Sequence, residues 1–113
     1  MNARSNLDGI LSTGIPLEEF GVSGWGLQKG PALKAIRSLR NAGVPIFGGD
    51  DVYIQNNKLI YPYENWYCDQ GDTETNTEYV TRCFEEALMY VDNYSRDLPS
   101  EPLFVLVAEP FAG

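Results

Sequence analysis

Asn56-Asn57 stands between two runs, Val52-Tyr53-Ile54-Gln55 and Lys58-Leu59-Ile60-Tyr61, that are rich in β-branched and aromatic residues. Asparagine tolerates the positive φ angles that a two-residue type I′ turn requires at both positions, so the pattern predicts an antiparallel hairpin. An isolated hairpin is marginal in water and needs a further strand or a helix over its apolar face.

Two segments offer that cover. Pro31 suits the first turn of a helix, Gly43 suits its C-terminal end, and Ala32, Leu33, Ala35, Ile36, Leu39 and Ala42 fall on one wide face between them. Lys34, Arg37 and Arg40 fall on the other face and read as solvated. Further on, Thr75 and Glu78 match a capping box. From there Val80, Phe84, Ala87, Leu88, Val91 and Tyr94 form a stripe at three- and four-residue steps, with Tyr79, Cys83 and Tyr90 on its flank. Val44-Pro45-Ile46-Phe47 reads as a short extended segment ended by Gly48-Gly49. The unbroken apolar run Leu103 to Ala108 reads as a central strand covered on both sides. The expected fold is therefore α+β, a small mixed or antiparallel sheet with two main helices packed on it.

The chain has 113 residues, enough for one domain with a single core. Residues 30–109 are expected to form that core, and residues 1–29 an irregular arm. Within the arm, Pro16 could open a helical turn at Leu17 to Phe20 that Gly21 stops, and Trp25 reads as an anchor to the core.

The side-chain inventory excludes several chemistries. There is no histidine, and the two cysteines form no CxxC element, so no metal site or cofactor is expected. A serine or cysteine nucleophile would lack its usual base. Asp50-Asp51 and Glu85-Glu86 are adjacent pairs whose members diverge on a strand or a helix, which argues against two-carboxylate catalysis. The glycine clusters lack a phosphate-loop context. No enzyme is expected from such a set. Sixteen acidic against eight basic residues give a net charge of −8, whose field repels nucleic acid and favours a cationic partner. No stretch approaches the about 20 apolar residues of a membrane span, and no export signal is evident, so a cytoplasmic protein is expected, with Cys68 and Cys83 as free thiols and their pairing as the alternative.

What remains is recognition. Tyr53, Tyr63, Trp66 and Tyr67 lie close in sequence to Asp50, Asp51, Glu64, Asn65 and Asp69, and large aromatic side chains beside acids and amides suit a protein-binding surface. The alternative is a small-ligand module in which Tyr53, Tyr61 and Trp66 line an apolar pocket with Arg37 or Arg40 as an anion contact.

Three pieces, Ile46-Phe47-Gly48-Gly49-Asp50-Asp51-Val52-Tyr53, then Tyr63-Glu64-Asn65-Trp66-Tyr67-Cys68, then Glu78-Tyr79-Val80 opening a long helix, resemble the immunity protein 40 family of bacterial polymorphic-toxin systems. The resemblance spans about residues 30–95, and the family pattern carries a single acid where this chain has Asp50-Asp51. It implies a small cytoplasmic protein that binds and neutralises a cognate toxin, with no catalytic residues to carry over.

Overall fold

In the computed structural model, the described residues are residue 7 and residues 9–62 and 65–112. Their architecture is α+β. An N-terminal two-stranded ribbon, β1 (Ile15–Pro16) with β2 (Trp25–Gly26), precedes helix α1 (Lys29–Asn41). Strands β3 (Ile46–Gln55), β4 (Lys58–Ile60) and β5 (Asn65–Tyr67), helix α2 (Asn76–Asp92) and strand β6 (Leu103–Ala108) follow.

The local signals behave as their chemistry demands. Asn56 and Asn57 take φ of 54° and 63°, and β4 folds back on β3 with Gln55 opposite Lys58. Helix α1 begins two residues before Pro31, which still leaves the proline in the first turn, where an N–H has no partner within the helix. At its other end Gly43 takes φ of 71°, its N–H donates to the Arg40 carbonyl, and Val44 N–H donates to the Leu39 carbonyl. This closes the helix in a Schellman motif. In α2, Glu78 N–H donates to the Thr75 hydroxyl at 3.1 Å, and Thr75 N–H donates to the Glu78 carboxylate at 2.9 Å. Removing such a cap costs about 1 kcal/mol.

Three expectations are corrected. Gly48-Gly49 does not end a strand: β3 runs through it for ten residues. The central strand is β3 rather than β6. Gly48, Gly49 and Asp50 pair with β5 on one edge and with β6 on the other. The apolar run of β6 is explained by what covers it. Leu103, Phe104 and Leu106 are buried, whereas Val107 is exposed. Third, the buried face of α2 is centred on Tyr79, Val80, Cys83, Ala87 and Val91, which brings two residues expected on the flank into the core. Cys83 and Ala87 are small, so the helix can approach the sheet closely there.

Cross-strand partners share a face, so the register sorts the sheet into two sides. Gly49, Asp51, Trp66, Phe104 and Leu106 belong to the helix side. Asp50, Val52, Asn65, Tyr67, Leu103, Val105 and Val107 belong to the other. The arm reaches that second side. Leu17 is fully buried there beside Leu103 across Gly26, and Leu27, fully buried in the helix-side core, exchanges backbone hydrogen bonds with Phe104 at 2.9 and 2.7 Å. Gly21, at φ of 80°, stops the short 3₁₀ turn Glu18–Phe20. Trp25 is only half-buried, so the two leucines anchor the arm in its place.

Candidate functional site: an aromatic groove at the sheet edge

Three sequence-distant elements meet where β5 runs along the C-terminal half of α2. Trp66 points to the helix side and stacks on Tyr90, ring centroids 4.3 Å apart. Beneath it is Gly49, where a Cβ would come within 2.4 Å of the indole and 2.6 Å of the Val105 carbonyl. The neighbouring Gly48 takes φ of 150°, and a Cβ there would meet the Trp66 carbonyl. One glycine therefore accommodates the ring and the other the backbone of β5.

Asp51 holds the second layer. Its carboxylate accepts the Tyr90 hydroxyl at 2.8 Å and the Tyr94 hydroxyl at 2.6 Å. Both tyrosines also meet Phe104 edge to face. Asp51 is 1% exposed, so it cannot be a surface contact, as the sequence had suggested; it fixes the aromatic wall from inside. A buried acid is tolerated because both oxygens find donors. The Trp66 Nε1–H is buried and has no acceptor among the described residues.

The outer side of this wall is a groove of about 800 Å³, lined by Trp66, Tyr67, Glu86, Met89, Tyr90 and Tyr94 among others. Two of its lining residues are prominently in solvent: Met89 is 63% exposed, and Tyr67, whose register turns it to the outer face of the edge strand β5, is 75% exposed. Buried polar and exposed large apolar groups are the informative exceptions in a globular protein, and this site holds both.

The sequence-nominated residues distribute as follows. Trp66 and Tyr67 line the groove. Asn65 and Asp50 lie opposite one another on the far side of the sheet, where Asn65 Nδ2 donates to the Tyr67 hydroxyl at 3.4 Å. Tyr53 is half-buried on β3 opposite Ile60. Asp69 is exposed, and its carbonyl accepts from Arg82 at 2.5 Å. Tyr63 and Glu64 lie outside the described residues. Met89, Tyr90 and Glu86 are the additions that the structure makes. Their three- and four-residue spacing places them on one helix face, a signal present in the sequence beside the stripe that reads as core.

The charges near the groove are organised by Arg82. Its guanidinium donates twice to the Glu74 carboxylate at 2.8 Å and reaches Glu86 at 3.4 Å. The Arg82 hydrogen bonds, with help from Gly71 N–H, lower the Glu74 pKa from 4.5 to about 2. Arg40, expected to be a solvated cation, lies over the Phe84 ring at 4.9 Å and ties α1 to α2.

The residues proposed for a ligand pocket do not converge. Trp66 lines the groove, Tyr61 lines a separate depression with Phe20 and Lys58, and Arg40 lines a third with Phe111. Among the described residues no group of three or more His, Cys, Asp or Glu could hold a metal ion, and no helix is long and apolar enough to cross a membrane.

Fold and site together define a small α+β protein that presents an aromatic groove between a sheet edge and a helix. The family model described as immunity protein 40 matches residues 16–108, and the chain belongs to that family. The match includes Pro16 of β1 and all of β2 as well as the glycine pair, Asp51, Trp66 and all of α2. No curated protein and no solved structure matches it. Immunity protein families are generally non-catalytic, and membership implies a toxin-neutralising role with a cognate toxin as partner.

Proposed function

We propose that this protein is a non-catalytic cytoplasmic inhibitor that docks a toxin domain on the groove and the β5 edge. Trp66 and Tyr90 form the rigid floor of the contact, and Tyr67 and Met89 supply the accessible anchors. Tyr63, Glu64, Asn65, Asp50 and Asp69 belong to the sequence neighbourhood of that edge and add acids and amides to it. The observation that carries this reading is the exposure of Met89 along the groove and of Tyr67 on the outer face of the same edge strand that carries the stacked, internally braced Trp66. Pre-organised aromatic side chains lose little entropy on binding, which is what interface anchors require. The net charge of −8 favours a toxin with a basic surface, through steering more than through affinity.

Co-expression with a toxin domain, taken from candidates encoded near this gene, tests the proposal by bacterial growth. Wild-type protein should rescue growth, and the Tyr67→Ala, Met89→Ala double variant should not. Killing that persists despite soluble wild-type protein would overturn it.

The groove volume also falls within the range of about 300–1,000 Å³ common for small-molecule sites. A ligand reading therefore stands second, and a ligand screen read by thermal stabilisation, lost on Tyr67→Ala, distinguishes it.

A further inference from the structure

Cys68 follows the last residue of β5, and Cys83 stands on the inward face of α2. Both are buried and free, and their Sγ atoms are 2.8 Å apart. The sulfur of Cys68 is not placed there by chance packing of a loose loop. Its backbone is held at both polar groups: its N–H donates to the Phe47 carbonyl at 2.7 Å, and its carbonyl accepts the Tyr79 hydroxyl at 2.5 Å. Tyr79 and Cys83 lie one helical turn apart on α2, so the same helix face that fixes the Cys68 backbone also presents the second thiol to it.

We propose that Cys68 and Cys83 are an oxidisable dithiol that closes to an intramolecular disulfide, joining the two walls of the groove, with a peroxide as oxidant. One thiolate attacks an oxygen of hydrogen peroxide, the O–O bond breaks, and hydroxide departs and takes up the displaced thiol proton as water, leaving a sulfenic acid on that sulfur. The second thiolate attacks the same sulfur, the S–O bond breaks, and a second water departs with the remaining proton. Two thiols are oxidised and one peroxide is reduced to two waters. A small oxidant suits the site because neither sulfur is open to solvent. Burial raises the Cys68 thiol well above its ordinary pKa, so closure is slow and proceeds through transient opening of the β5 end. The bond would close a loop from 68 to 83 and hold β5 against α2 whether or not a toxin is bound. The inference thus stands apart from the toxin-docking reading.

The test treats the reduced full chain with hydrogen peroxide, alkylates the remaining thiols, and maps peptides by mass, which separates thiol chemistry from methionine oxidation. The expected result is a cross-linked peptide pair holding Cys68 and Cys83, lighter by about 2 Da than the two reduced peptides. A melting temperature higher by on the order of 10 °C, reversed by a thiol reductant, should accompany it. Cys83→Ser and Cys68→Ser should each abolish the cross-link and the reversible shift. Alkylatable thiols after treatment, oxygen added to either cysteine in place of the cross-link, a disulfide-linked dimer, or a cross-link without the thermal shift would each overturn the proposal.

Discussion

Trp66 lies against the Cα of Gly49, so close that a Cβ there would come within 2.4 Å of the indole. The relationship gives the Gly48-Gly49 pair a purpose that turn chemistry does not. The strand continues through the pair because a bulky ring and a neighbouring backbone need the space that side chains would fill.

Gly49→Ala should therefore be more harmful than an ordinary strand substitution, since the added methyl meets the ring on one side and the Val105 carbonyl at 2.6 Å on the other. Overpacking of this kind costs about 1–3 kcal/mol. Chemical denaturation measures the loss, and near-ultraviolet circular dichroism should show the Trp66 environment altered. A stability within about 0.5 kcal/mol of wild type would contradict the placement of the ring.

The Asp51 carboxylate, with both oxygens accepting tyrosine hydroxyls, should be the costliest polar group to remove. Asp51→Ala leaves two hydroxyls without that acceptor and should cost about 3 kcal/mol. Tyr90→Phe and Tyr94→Phe should each cost about 1 kcal/mol. Denaturation midpoints of the single and double variants would show coupling between Asp51 and each tyrosine; strict additivity would mean that the hydrogen bonds contribute little.

Which of these features could be read from the chain follows from how local their causes are. The Asn56-Asn57 turn, the Thr75–Glu78 cap and the Gly43 helix end depend on residues within a few positions, and all form as their chemistry predicts. Gly48-Gly49 reads locally as a break, because the side chain that requires it is on another strand. Asp51 reads locally as a surface acid, because its donors lie 39 and 43 positions away. The groove itself was half legible: Trp66 and Tyr67 stood out by composition, whereas Met89 and Tyr90 became part of it only when α2 was laid along β5.

Acid should weaken the fold through Glu74. Its folded-state pKa, held down first by Arg82 and then by Gly71 N–H, is about 2 against an ordinary 4.5. The unfolded chain thus takes up the proton first as pH falls, so the stabilisation is complete above about pH 4.5 and is lost on descent towards about pH 2. Glu78, lowered by the Thr75 backbone and hydroxyl, acts in the same direction. Glu74→Gln should leave a shallower decline of stability across this window, measured by denaturation at a series of pH values. Identical acid limbs in variant and wild type would show that the Arg82 pair is inert.

Binding variants must separate anchors from scaffold. Trp66 is stacked on Tyr90 and braced against β3, so Trp66→Ala should lower stability as well as toxin affinity. Tyr67→Ala and Met89→Ala remove side chains that are mostly in solvent and should leave the melting temperature nearly unchanged. Each should weaken toxin binding at least about tenfold, or about 1.4 kcal/mol, if the groove carries the contact. Calorimetric titration against the toxin domain decides it: wild-type affinity in both variants would move the interface elsewhere on the protein.

Charge should act on a different step. Fields between exposed groups are screened beyond about 8 Å at physiological ionic strength, and long-range attraction chiefly accelerates encounter. If the toxin presents a basic surface to the net charge of −8, the association rate should fall as salt is added while the dissociation rate changes little. Stopped-flow mixing over a salt series reads both rates. An association rate indifferent to salt would leave the aromatic anchors as the whole basis of recognition and remove the case for a basic partner, whereas a rise with salt would point to an acidic one.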